Sequence, residues 1–154
     1  MSLTAREIMN ANPPFCDVET PLREIAQRFA DEALTGLLVV DEERRLMGVI
    51  TEEDLIDQQQ QLHMPTAIAL LDMVIPLGEG RFERELERLQ ALKAGDLMSR
   101  DVQSISPDAE LSTIASLMSE REVHHLPVLD KGTVVGLISR HELIKALARP
   151  AGKG

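Results

Sequence analysis

The chain has 154 residues, of which 44% are apolar and only 2% aromatic, with no Trp and no Tyr. That length supports one compact domain or two small ones sharing a core of Leu, Ile, Val, Met and Ala, and the lack of aromatic faces argues against a stacking platform for single-stranded nucleic acid. A formal net charge of -10 disfavours generic attachment to nucleic acid or anionic lipid, because attraction to phosphate backbones needs a basic field.

The opening MSLTAREIMNANPP lacks the apolar core of a signal peptide, and no apolar run approaches the roughly 20 residues that span a bilayer. A soluble cytoplasmic protein without membrane attachment is therefore expected. LTAREIM (3–9) reads as a short amphipathic start carrying Ile8 and Met9, and FCDV (15–18) as an extended stretch. Cys16 is the sole cysteine, so no intramolecular disulfide can form, and its apolar setting suits a buried structural thiol. Thr20 and Pro21 predict a cap and first helical position for a helix with Leu22, Ile25, Ala26 and Phe29 on one face. Two strands follow, LLVVD (37–41) and LMGVIT (46–51), joined by a tight polar turn; a second helix runs from Asp54.

Residues 57–91 are longer than an ordinary connector and predict structure of their own. DQQQQL extends the second helix, Pro65 opens TAIALLDMV, and GEG breaks the chain before RFERELERLQAL. That last segment sets Phe82, Leu86 and Leu89 on one helical face, with Arg81 and Glu85 as an exposed pair. Two readings of its apolar strip stay open: packing on its own pair, or a surface for dimerisation or a partner.

The same succession then returns at a nearly constant offset. LKAGDLM (92–98) matches LTAREIM, Leu111, Ile114, Ala115 and Met118 match the first helical face, and HHLPVLD (124–130) matches TGLLVVD (35–41). GLISRHELI (136–144) falls on GVITEEDLI (48–56) after a slip of one residue, explained by the longer turn DEERRL against DKGTV. QSIS supplies the second extended stretch, and the second copy's last helix runs from Glu142. Each copy is about 50 residues, at the lower edge of what buries a core alone, so two copies packing their sheets together is the expected solution.

In these strings the chain resembles a tandem pair of CBS domains, the regulatory modules named after cystathionine β-synthase. The most specific marks are HHLPVLD followed by VVGLISRHEL, with LLVVD followed by LMGVITEEDL in the same order. The expected fold is α/β (α+β): two βαββα repeats packed through their sheets with pseudo-twofold symmetry. Repeat 1 is expected at 1–56, a helical inter-repeat segment at 57–91, repeat 2 at 92–148 and a flexible tail at 149–154.

Capping alone accounts for Thr51 and Asp54: a hydroxyl at a helix start and a carboxylate one turn on satisfy free N–H groups and suit the helix dipole. The same place also offers N–H groups to a phosphate, while a carboxylate can accept two hydrogen bonds from ribose hydroxyls. The resemblance implies those ligand roles, with the hydroxyl towards phosphate and the carboxylate on ribose, for Thr51 and Asp54 and for Ser139 and Glu142. Glu142 stands where the family usually has aspartate. The resemblance further implies that Val123, His124, His125 and Pro127 supply a cleft edge and phosphate contacts, helped by Arg140 and His141. Adenine would lie near Val102, Gln103, Ser104 and Ile105, with a counterpart at 13–16.

The first copy has Thr35 and Gly36 in place of the histidines and Glu52 and Glu53 nearby, so one well-formed site is expected, at the second copy. His124 and His125 rarely share one metal ion, His63 and His141 lie at no ligand spacing, and no Gly-rich phosphate loop, nucleophile elbow or paired-cysteine motif appears. The resemblance implies a stand-alone, non-enzymatic regulatory module with no required cofactor. It would bind AMP, ADP or ATP between the repeats, form a homodimer and act on an unknown effector protein. The rival readings are a sensor of NAD or S-adenosylmethionine, and a dimeric interaction module with empty clefts.

Overall fold

The computed structural model describes residues 3–60, 87 and 91–149. The element expected at TAIALLDMV and all of RFERELERLQAL but Glu87, Ala91 and Leu92 lie outside the described residues, as do His63 and the tail beyond Arg149. The fold is α/β, with mixed helices and small sheets in two repeats, and it clusters into two compact units. One gathers the described residues of Phe15–Val39 and Met47–Arg100. The other gathers those of Met1–Pro14, Val40–Leu46 and Asp101–Gly154.

The first-copy unit contains β1 (Phe15–Cys16), α2 (Leu22–Asp31), β2 (Gly36–Val40), β3 (Leu46–Thr51) and α3 (Glu52–Gln60). Its three strands run β1-β2-β3, with β1 parallel to β2 and Cys16 opposite Val39. The spacing read from the sequence puts Leu22, Ile25 and Phe29 of α2 into a core with Leu37, Val39 and Ile50. Fully burying each such side chain contributes about 1.5–3 kcal/mol. α2 stops where Ala33 turns left-handed (φ 52°) and the Leu34 N–H donates back to the Phe29 carbonyl at 3.1 Å.

Thr20 does not cap α2, contrary to the expectation from Thr20-Pro21. Pro21 is the cap residue, and the buried Thr20 hydroxyl instead accepts the Asp17 N–H and faces the Asp17 carboxylate, each at 3.3 Å. The free N–H of Leu22 is satisfied elsewhere, by the Leu92 carbonyl at 3.0 Å. Tertiary pairing replaces the local cap.

The second-copy unit contains α5 (Leu111–Glu120), β4 (His125–Asp130), β5 (Thr133–Ser139) and α6 (Arg140–Leu147). β4 and β5 form an antiparallel hairpin through Lys131 and Gly132, both at positive φ (53° and 87°), the two-residue turn that matches strand twist. Ile105 lies parallel beside Val128, the place of β1 in the first copy. Ile114, Leu126 and Ile138 are fully buried in this core.

The two lead-in helices, α1 (Ala5–Ile8) and α4 (Ala94–Leu97), are exchanged between the copies. α1 packs in the second-copy unit, where Ala5 and Ile8 join the core with Ile114 and Ala146; α4 packs in the first-copy unit through Ala94 and Leu97. The exchange is reciprocal bond for bond. Ala5 N–H donates to Ala109 O and Arg6 N–H to Pro107 O, while Ala94 N–H donates to Thr20 O and Gly95 N–H to Val18 O. Asn10 and Leu137 exchange both backbone hydrogen bonds (2.9 and 3.0 Å), and so do Ser99 and Val49 (2.9 and 3.1 Å). Neither sequence copy therefore forms a packed unit by itself.

That exchange explains a glycine in each copy. A Cβ on Gly48 would come within 2.7 Å of Met98 Sδ and 2.8 Å of the Ser99 carbonyl, and one on Gly136 would collide with Met9 Sδ and sit 3.1 Å from the Asn10 carbonyl. Glycine is the residue that lets the lead-in lie against the strand.

Candidate functional site

Each copy ends its second strand in a hydroxyl residue and turns directly into a helix. Thr51 closes β3 and precedes α3; Ser139 closes β5 and precedes α6. These helices start two residues ahead of the expected Asp54 and Glu142, which places both carboxylates in the third helical position, able to reach back to the cap. The Thr51 N–H donates to Asp54 Oδ2 at 2.7 Å, and its hydroxyl lies 3.3 Å from the same oxygen. The Ser139 N–H donates to Glu142 Oε1 at 2.8 Å, and the Ser139 hydroxyl bonds that oxygen too. The longer glutamate side chain thus makes the same capping bonds as the aspartate through a ring one methylene larger.

The two lead-in helices use this device as well. Thr4 N–H donates to Glu7 at 3.0 Å and Lys93 N–H to Asp96 at 2.9 Å. Capping is therefore a general habit of this chain, and half of each carboxylate at α3 and α6 is already committed to it. The capping bonds leave the second oxygens, Asp54 Oδ1 and Glu142 Oε2, as the groups a ribose could use.

Around the α6 start the fold gathers several of the residues singled out from the sequence. His125 opens β4 directly opposite Ser139. Burial pushes its imidazole below the ordinary 6.5, with nearby His124 lowering it, Glu142 raising it and Arg140 lowering it further. At neutral pH His125 is therefore an uncharged hydrogen-bonding ring, and the exposed Arg140 is the fixed cation beside it. His124 and His141 are exposed, whereas Ser139 and Glu142 are half-buried.

The residues expected to line an adenine are built differently from the α6 start. Val102 and Gln103 are half-buried and Ser104 is exposed, on the extended approach to Ile105; Val123 is half-buried ahead of β4. Pro127 is buried, and its carbonyl accepts the Ile105 N–H at 3.0 Å. It shapes the edge by seating Ile105 and offers no open polar group.

At the start of α3 the surroundings carry the opposite charge. Glu52, Glu53 and Asp54 fill the first turn, which suits the helix dipole and repels phosphate. The Cys16 thiol of this unit is buried and pushed up to about 11 by desolvation, which leaves it a packing group and not a nucleophile. Among the described residues no three His, Cys, Asp or Glu side chains gather as metal ligands, and no helix is long and apolar enough to cross a membrane.

Sequence reasoning missed Met9, Asn10 and Leu137, which brace β5 just before Ser139. A signal was present: each lead-in ends in Met, and each copy carries a glycine at the same place in its second strand.

A family model of the CBS domain matches residues 5–60 and 94–149. The chain is 26% identical over 138 residues to the uncharacterized protein MJ1426 of Methanocaldococcus jannaschii, across 84% of this chain and 82% of that one. Its fold is similar to that of CBSX2 in complex with AMP, with a TM-score of 0.72 at 20% identity, covering 94% of this chain and 95% of that one. It is also similar to the CBS domain pair of MJ0100 in complex with 5′-methylthioadenosine and S-adenosyl-L-methionine, with a TM-score of 0.71 at 18% identity over 96% and 97% of the two chains. Structural likeness at these identities speaks for the fold alone.

Proposed function

The chain belongs to the CBS-domain family as a tandem pair, and we propose that it is a non-enzymatic regulatory module whose second copy binds an adenosine-containing ligand, AMP, ADP or ATP. The observation that carries this reading is the α6 start. There the free N–H groups of a helix, Ser139, the second oxygen of Glu142, neutral His125 and the Arg140 cation converge. Helix N–H groups and Arg140 suit phosphate, and the carboxylate suits ribose hydroxyls. His124 and His141 would add donors at the rim, with adenine laid along Val102, Gln103, Ser104 and Ile105. The AMP in CBSX2 and the adenosine ligands in MJ0100 support the ligand class.

The same site at α3, with Thr51 and Asp54, would serve a phosphate poorly because Glu52 and Glu53 flank it. Exposed apolar side chains on the two second helices, Ile56 (50%), Ile144 (61%) and Leu147 (63%), support a homodimer formed through those helices.

A second reading is a dimeric interaction module whose helix starts hold no nucleotide. It is favoured by the capping bonds, which already occupy one oxygen of each carboxylate. Calorimetric titration with AMP, ADP, ATP, NAD and S-adenosylmethionine separates the two. Heat with at least one adenine nucleotide, abolished by Arg140→Ala, is the expected result; no heat and no thermal shift with any of the five would sink the ligand reading in favour of the interaction module.

A further inference from the structure

The exchange of lead-in segments places the N-terminal residues of the first copy against the strand that delivers the second copy's helix start. β5 is held on one side by β4, through Pro127 opposite Leu137 and His125 opposite Ser139. On its other side the Asn10 backbone bonds Leu137 in both directions, Met9 lies on Gly136, and α1 packs against both β5 and α6. Ser139 comes two residues after Leu137, and its N–H in turn holds Glu142. In the other unit the order repeats: Ser99 bonds Val49, Met98 lies on Gly48, and Thr51 follows two residues later, holding Asp54.

We infer that each lead-in is the positioning element for the helix start of the opposite copy: Met9 and Asn10 set the Ser139–Glu142 pair, and Met98 and Ser99 set the Thr51–Asp54 pair. The ligand consequence of this inference rests on the nucleotide reading above. The positional consequence does not.

The physical argument is one of constraint. A hydroxyl that must meet a carboxylate one helical turn away depends on the direction in which its strand ends. A strand residue fixed on both edges has fewer directions open to it than one fixed on a single edge. Removing the Met9 side chain leaves space over Gly136 and loosens the Asn10–Leu137 pair, so the end of β5 is held by β4 alone. Since docking of the lead-in and order at Ser139 favour one another, a ligand that needs the ordered helix start also favours the docked lead-in, and the coupling is reciprocal.

The test uses the full chain and reads backbone amide exchange at Ser139 and Thr51 in wild type, Met9→Ala, Met98→Ala and the conservative Met9→Leu and Met98→Leu. Taking the ratio of the two amides cancels any loss of overall stability. Ser139 is expected to exchange about tenfold faster relative to Thr51 in Met9→Ala, and about tenfold slower relative to it in Met98→Ala, with the leucine variants close to wild type. A ratio unchanged in both alanine variants overturns the inference, as does a change that follows the mutated copy instead of crossing to the other.

AMP is titrated into the same samples. Affinity about fivefold weaker in Met9→Ala and restored in Met9→Leu supports the coupling of lead-in to site, and undiminished affinity in Met9→Ala overturns it. If wild type takes up no adenine nucleotide while the exchange ratio crosses as expected, the positioning inference stands and the nucleotide reading falls.

Discussion

At the start of α3, Thr51 and Asp54 are accompanied by Glu52 and Glu53; at the start of α6, Ser139 and Glu142 enclose Arg140 and His141. The capping bonds of the two turns differ little, at 2.7 and 2.8 Å from backbone N–H to carboxylate, yet the charge presented to solvent is reversed. In both copies the hydroxyl and carboxylate cap the turn from a buried strand into a helix, and that shared task accounts for their recurrence. The side chains between them are under no such demand. They are where the two copies are free to differ, and a ligand would feel the difference there.

Four changes would break or sharpen that comparison. The largest effect is expected where the copies are most alike, at the glycines beneath the lead-ins. Gly48→Ala forces a Cβ against the Ser99 backbone and should cost about 2–3 kcal/mol, whereas Gly136→Ala meets mainly the flexible end of Met9 and should cost about 1 kcal/mol. Urea midpoints of the two variants measure this, and equal losses would show that the lead-ins seat with equal rigidity.

Next come the carboxylates. Asp54→Ala and Glu142→Ala each remove a capping acceptor and should each lower stability by about 1 kcal/mol. Nucleotide affinity should separate them, falling about tenfold in Glu142→Ala and about twofold or less in Asp54→Ala. The reverse order in calorimetry would move the ligand to the first copy.

The third change is of pH. Because the folded His125 imidazole lies below 6.5, the unfolded chain takes up its proton first as pH falls. Above 6.5 both states hold a neutral ring and His125 contributes no pH dependence; below it stability drops, and the drop levels off beneath the folded value. His125→Gln should flatten that part of the stability profile, while the first copy has Thr35 and Gly36 in the corresponding place and no imidazole there to titrate. The smallest effect is expected at the helix ends, where Ala33 and Glu122 occupy equivalent left-handed positions, each at φ 52°. Replacing either by Gly should raise the urea midpoint by the equivalent of about 0.5–1 kcal/mol.

The sequence made the repeated elements legible because burial imposes a period. Leu22, Ile25 and Phe29, and their partners Ile114 and Met118, could lie on one face only as helices, and LLVVD and LPVLD only as buried strands. The candidate site was legible in part. Hydroxyl and carboxylate stood at the right spacing, but whether a capping bond already held them is a matter of side-chain conformation that spacing does not fix. Thr20 shows the limit of a local rule, since a distant carbonyl at Leu92 displaced the expected cap. The exchange of lead-ins was hidden for a different reason. LTAREIM and LKAGDLM carry nearly the same apolar pattern, so hydrophobic matching alone does not say which core each one enters.

That exchange also has a bearing on how the chain is made. The lead-in carrying Asn10 leaves the ribosome long before its partner Leu137 is made. Until the second copy has been synthesised, Ala5, Ile8 and Met9 lack the native core they enter. Pairings of such long sequence separation must meet the loop-closure cost before any contact rewards them, which makes folding slow for the size of the protein. The last steps of folding should therefore wait for synthesis of the second copy, and nascent chains halted before α5 should keep residues 3–10 open to protease.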